Sequence, residues 1–135
     1  MASDKVEVRE KVAEYGQMSP SQIALALAHL SRELQRLQDE QEPLETSAVQ
    51  AREKFTLEYS KAWLAASGNN EEKKQRATYS THQDRLEAET AEVLVKMHVG
   101  QVATLRKRVE IARSAAALVR AEWELMQAGG RARGG

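Results

Sequence analysis

The sequence predicts an all-α chain, a long antiparallel coiled-coil helical hairpin with a short N-terminal helix. Three observations predict it. Apolar residues recur at alternating steps of three and four on both sides of a single Gly68-Asn69-Asn70, the period of a coiled-coil seam. Ala, Glu, Leu, Lys, Arg and Gln dominate, as in long helices. Aromatic residues are only 4% and prolines number 2, too few for a β-sandwich or barrel.

The first element covers residues 1–18. Val8, Val12 and Tyr15 form one helical stripe, and Gly16 supplies a stop. So short a helix is marginal alone and needs a surface to dock on.

The second element, 19–67, opens at Ser19-Pro20-Ser21-Gln22. Ser19 caps, Pro20 suits the first helical position, and Gln22 closes a capping box. Its seam is Ile23, Leu27, Leu30, Leu34 and Leu37, continued in phase by Leu44, Ala48, Ala51, Phe55 and Ala62. Pro43 removes one backbone hydrogen bond and predicts a kink or local break within this continuing rod. The loop is 68–70, where glycine and asparagine tolerate the left-handed conformation.

The third element, 71–128, carries Ala77, Ala88, Ala91, Val95, Val102, Leu105, Val109, Ala112, Ala116, Val119, Trp123 and Met126 on one heptad frame. Polar Thr81, Asp84 and His98 occupy seam positions, with His98 read as a register-setting residue rather than a ligand. The Gly/Arg-rich tail, 129–135, is expected to be disordered.

Folding the third element back on the second places Leu30 opposite Val109, Leu34 opposite Leu105, Leu37 opposite Val102, Ala51 opposite Ala88, and Ala62 opposite Ala77. The centre of this register falls on Asn69 and Asn70, where the loop must be. Off-seam apolar residues remain, among them Leu25, Leu57, Leu64, Leu86, Leu94, Ile111, Leu118 and Leu125. They predict a homo-oligomer, since a two-helix hairpin buries only one stripe per helix.

The chain has no cysteine, which excludes disulfides, thiolate metal sites and a cysteine nucleophile. His29, His82 and His98 have no partner at metal-ligand spacing, and no P-loop, nucleophile elbow or zinc-protease motif is present. The expectation is a protein that is not an enzyme and uses neither cofactor nor metal. No apolar run approaches the roughly 20 residues of a membrane span. Met1 to Glu10 is charged and lacks a hydrophobic signal region. The expected location is the cytoplasm, with no membrane partner.

The formal net charge is zero, yet from Lys96 onward 8 basic residues face 3 acidic ones. One basic cluster is Lys73, Lys74 and Arg76. The other is Arg106, Lys107, Arg108 and Arg113, continued by Arg120, Arg131 and Arg133. Such clusters neutralise phosphates, and Tyr59, Trp63 and Tyr79 near Lys61, Lys73 and Lys74 would offer stacking surfaces for bases. The alternative is a solvated basic face with the aromatics packed between neighbouring hairpins.

Several local marks coincide with a known family. Ala51-Arg52 is followed by Phe55 and Tyr59, then by Lys61-Ala62-Trp63-Leu64 before a glycine turn. A charged stretch from Glu71 to Arg76 leads into a long helix with Arg106, Arg108 and Arg113. From Leu37 to Leu125 the chain resembles the UvsY-like recombination mediator proteins of bacteriophages. The resemblance implies a small helical oligomer that binds single-stranded DNA and helps load a strand-exchange recombinase while displacing single-strand-binding protein. It implies DNA contacts at Arg52, Lys54, Lys61, Lys73 and Lys74. The zero net charge departs from a strong DNA binder, although an oligomer concentrates bases on one face. The alternative class is a structural or adaptor coiled coil, such as a virion, scaffolding or host-factor-binding protein.

Overall fold

The computed structural model describes residues 15–134, with side chains described through Gly130. The described residues are all-α: helices α1 (Pro20–Ala65), α2 (Asn70–Ser80) and α3 (His82–Gly134), with no strand among them. None of these helices is long and apolar enough to cross a membrane. The stripe of Val8 and Val12 lies outside the described residues. Tyr15 and Gly16 are helical and the chain turns at Gln17, with the Met18 amide donating to the Tyr15 carbonyl at 3.0 Å.

The start of α1 is a capping box. The Gln22 amide donates to Ser19 Oγ at 3.2 Å, and the Ser19 amide donates to Gln22 Oε1 at 2.9 Å. Each side chain thus satisfies an amide that the first turn leaves without a helical acceptor, a cap of about 1 kcal/mol. Helix α1 then runs unbroken for 46 residues with Pro43 inside it, so the local break allowed for at Pro43 does not occur. On the approach to this proline, His98 donates from Nε2 to the Leu37 carbonyl at 2.5 Å.

Between α1 and α2, Gly68 adopts φ 110°, a left-handed conformation that glycine takes without side-chain strain. Asn69 is the N-cap of α2, its Oδ1 accepting from the Glu72 amide at 2.9 Å. Glu71 and Glu72 lie in the first turn, where the positive end of the helix favours carboxylates. The helices end and begin at Ala65 and Asn70, so the connection is wider than the expected loop.

The long third segment is two helices, not one. The interruption is a single residue, Thr81 (φ −108°, ψ 14°). Its side chain explains why so small a break is tolerated. Thr81 is buried, and its Oγ1 donates to the Ala77 carbonyl at 2.6 Å. The Thr81 amide donates to the same carbonyl at 3.1 Å, and the Thr81 carbonyl accepts from the Arg85 amide at 3.0 Å. The backbone groups at the junction therefore keep partners away from water.

The chain divides into two compact units. The first combines residues up to Arg36 with those from Val102 onward, and the second is Leu37–Gln101. In the first unit the buried apolar residues are Ile23, Val102, Leu105, Val109, Ala112, Ala115 and Val119. The fully buried Ile23 alone is worth about 1.5–3 kcal/mol of transfer from water. In the second unit they are Ala48, Ala77 and Ala88, with Thr81 and His98 buried among them. Leu27, Leu30, Leu34, Leu37, Leu44, Ala51, Phe55, Ala62, Ala91 and Val95 are half-buried, so burial follows the heptad.

Three expectations fail toward the C-terminus. Ala115 is more deeply buried than Ala116, because Ala116 borders a cavity of about 300 Å³ shared with Pro20, Leu27 and Trp123. Trp123 and Met126 are 50% and 73% exposed, Trp123 lining the same cavity. The tail expected to be disordered from Gly129 is instead helical to Gly134. Each glycine there costs a helix about 1 kcal/mol, but none forces it to stop, and the intervening Ala and Arg are good helix formers.

Candidate functional site

The cations singled out from the sequence fall into two groups, those held by carboxylates and those left open. In the second unit, Arg52 on α1 meets Glu92 on α3 through two parallel hydrogen bonds, Nε to Oε1 and a terminal guanidinium nitrogen to Oε2, each 2.8 Å. This fork geometry is the strong form of an ion pair. The hydrogen bond from Arg52 holds the Glu92 carboxyl below the usual carboxylate range, and Glu92 in turn raises Arg52. The guanidinium carbon also lies 5.6 Å from the centre of the Phe55 ring, within reach of a cation–π contact.

Lys54 lies 3.5 Å from Asp84 and 3.8 Å from Glu87, and Lys61 lies 3.5 Å from Glu58. Arg76 donates to Ser67 Oγ at 3.1 Å across the connection between α1 and α2. Three of the five contacts implied by the family resemblance, Arg52, Lys54 and Lys61, are therefore engaged with carboxylates. A phosphate would have to compete with those partners.

Lys73 and Lys74 have no ion-pair partner among the described residues. Lys74 lines an open cavity of about 840 Å³ with Glu71, Gln75, Thr78, Tyr79 and His82. Tyr79 stands out into it, 87% exposed. The structure separates it from the other two aromatics. Tyr59 and Trp63 are half-buried on α1, and Tyr59 packs on Phe55 with ring centres 6.1 Å apart and planes tilted by 53°. Of the three proposed stacking residues only Tyr79 presents an open ring.

In the first unit, Arg106, Lys107, Arg108 and Arg113 are all exposed on α3. None has a carboxylate within ion-pair distance among the described residues. Arg106, Arg113 and Arg120 recur every seven residues, so they share one face of α3. Arg120 and Trp123 line the cavity at the start of α1. The heptad puts Trp123 on the seam, whereas the structure leaves it half-exposed at this cavity.

Among the described residues no group of three or more His, Asp or Glu converges in a way that would hold a metal ion. No family model, curated protein or solved structure matches the chain.

Proposed function

We propose that this chain is an oligomeric accessory protein that binds single-stranded DNA through the α3 cations and assists loading of a strand-exchange recombinase. The observation that carries the reading is the cluster Arg106, Lys107, Arg108 and Arg113, exposed and without carboxylate partners among the described residues. Cations free of internal partners are those that release counterions on binding phosphates. The open Tyr79 beside Lys74 adds a stacking surface in the second unit. The resemblance to UvsY-like mediators supplies the recombinase and single-strand-binding protein as partners, and the cytoplasm is the location that goes with this reading. The protein acts by binding, not by catalysis.

Both long helices are read as arms of an antiparallel coiled-coil hairpin. Within the second unit, the Asp84–Lys54 pair falls one residue from the Asn69/Asn70-centred register and His98 at Leu37 about one turn from it, whereas Glu92 at Arg52 lies more than a turn away.

The test is a titration of a fluorescently labelled oligonucleotide at several salt concentrations. Four phosphate contacts to a single strand give a log–log salt slope of about −3. Neutralising Arg106, Lys107, Arg108 and Arg113 to Gln should flatten that slope. Absence of binding at low salt sinks the proposal.

A second reading is favoured by the engaged Arg52, Lys54 and Lys61, together with exposed Leu25, Leu57, Leu64 and Leu118. It is a structural or adaptor coiled coil without nucleic-acid binding. Under it, the four-cation variant keeps full function while Leu34→Asp abolishes it.

A further inference from the structure

The second unit carries an apolar stripe that its own packing does not use. Leu86, Val93, Leu94 and Met97 of α3 are 41%, 52%, 48% and 57% exposed. Leu86, Thr90, Val93 and Met97 are separated by four, three and four residues, which repeats the heptad of the buried seam. At 3.6 residues per turn this stripe lies about half a turn around α3 from Ala88, Ala91, Val95 and His98. A helix with heptads on opposite faces is built to contact two helices, and within the second unit only one of the faces is covered.

The charges beside the stripe say what fits on the other. Glu89 and Lys96 share one flank, each directly preceding a stripe position, Thr90 and Met97. Glu89 makes one long contact to Arg85, 4.0 Å, and its side chain is 55% exposed. Flanking positions of this kind meet their own kind when two helices pack antiparallel. We propose that this face of α3 is a two-fold, antiparallel interface with a second copy of the chain. Leu86 of each copy packs on Met97 of the other, and Thr90 packs on Val93. The proposal rests on the oligomeric part of the preceding reading and is independent of the nucleic-acid part.

The register follows from charge. With Leu86 against Met97, Glu89 of each copy faces Lys96 of the other, so the two-fold axis generates two attractive pairs. A slip of one heptad in one direction sets Lys96 against Lys96, and in the other direction Glu89 against Glu89. Both slips also unpair apolar residues. Attraction in one register and repulsion in its neighbours is how flanking charges select partner and alignment.

The experiment measures molar mass by light scattering and self-association by sedimentation, without DNA, over a range of concentrations. Wild-type protein should form dimers or multiples of dimers. Glu89→Lys and Lys96→Glu each convert two attractive pairs into two repulsive ones, and each variant alone should associate about tenfold or more weakly. An equimolar mixture of the two variants restores both attractive pairs across a mixed dimer and should recover wild-type association. The double variant E89K/K96E should do the same by itself. Circular dichroism checks that each variant keeps its helicity, and the mixture remains decisive if one of them is partly unfolded alone. A monomeric wild type overturns the proposal, as do single variants that associate like wild type, or a mixture and double variant that both fail to recover. A chain that binds oligonucleotide as a monomer fails this proposal alone, and a dimer that ignores oligonucleotide fails only the nucleic-acid reading.

Discussion

Arg52 and Glu92, 40 residues apart in the chain, clasp each other through two hydrogen bonds of 2.8 Å that tie α1 to α3 within the second unit. The pair is half-exposed, so it works more as a specifier of alignment than as a large source of stability.

Its pH dependence has a definite sign. Arg52 holds the Glu92 carboxyl below its ordinary value of 4.5. A carboxyl depressed on folding adds stability that is present above its unfolded value and is lost as pH falls through its folded value. Thermal melts should therefore lose midpoint as pH drops below the ordinary carboxylate range. Glu92→Gln should shrink that loss without removing it, because Arg36 depresses Glu33 in the same direction. Melts of wild type and variant that fall in parallel would show that the clasp contributes nothing.

His98 is 5% exposed and donates to the Leu37 carbonyl. Truncation by His98→Ala removes both a hydrogen bond and seam volume, and should cost about 2 kcal/mol in urea unfolding. His98→Leu should regain most of that, since a carbonyl within α1 keeps its helical partner and the seam is refilled. Its price is specificity, which hydrogen exchange around Leu37 reads as faster opening.

Thr81 supports the junction of α2 and α3 by its hydroxyl as well as its backbone. Thr81→Val keeps the shape and removes the donor to the Ala77 carbonyl. It should lower stability by about 1 kcal/mol by calorimetry, whereas Thr81→Ser should stay close to wild type.

Two glycines should respond to alanine with opposite signs. Gly68 has φ 110°, and an added Cβ would meet the Glu72 carboxylate, so Gly68→Ala should destabilise by about 1–2 kcal/mol. Gly100 lies within α3 and an added Cβ there meets nothing within 4 Å. Gly100→Ala should stabilise by about 0.5–1 kcal/mol. Melting midpoints of the two variants, measured side by side, check the pair.

What could be read from the sequence was whatever obeys a period. Ile23, Ala48, Ala77, Ala88, Val102, Leu105, Val109 and Ala112 are buried where the heptad puts them, because burial in a helix follows the side-chain stripe. Ser19 with Gln22 was legible as a capping box, since it acts through local hydrogen bonds. The break at Thr81 was not legible. Threonine is common inside helices, and only its burial and its bond to Ala77 mark the junction. The fate of the cations was not legible: a register that sets Ala51 opposite Ala88 puts Arg52 opposite Glu87, whereas the structure pairs it with Glu92, and choosing between a carboxylate and a phosphate requires the geometry of both side chains. The helical run through Gly129 and Gly130 was hidden because a weak helix former is not a stop signal in itself.

The small side chains at the centre of the second unit carry a consequence for how the molecule tolerates change. Where Ala48, Ala77 and Ala88 are buried, little can be lost by truncation, and enlargement is what the packing cannot absorb, at about 1–3 kcal/mol for each added bulk. Around Ile23, Leu105 and Val109 in the first unit, the sensitive direction reverses, and shortening costs about 2–5 kcal/mol for an Ile or Leu. Variation at these buried positions should therefore be asymmetric: Ala48, Ala77 and Ala88 drift among residues no larger than alanine, and Ile23, Leu105 and Val109 among residues no smaller than valine.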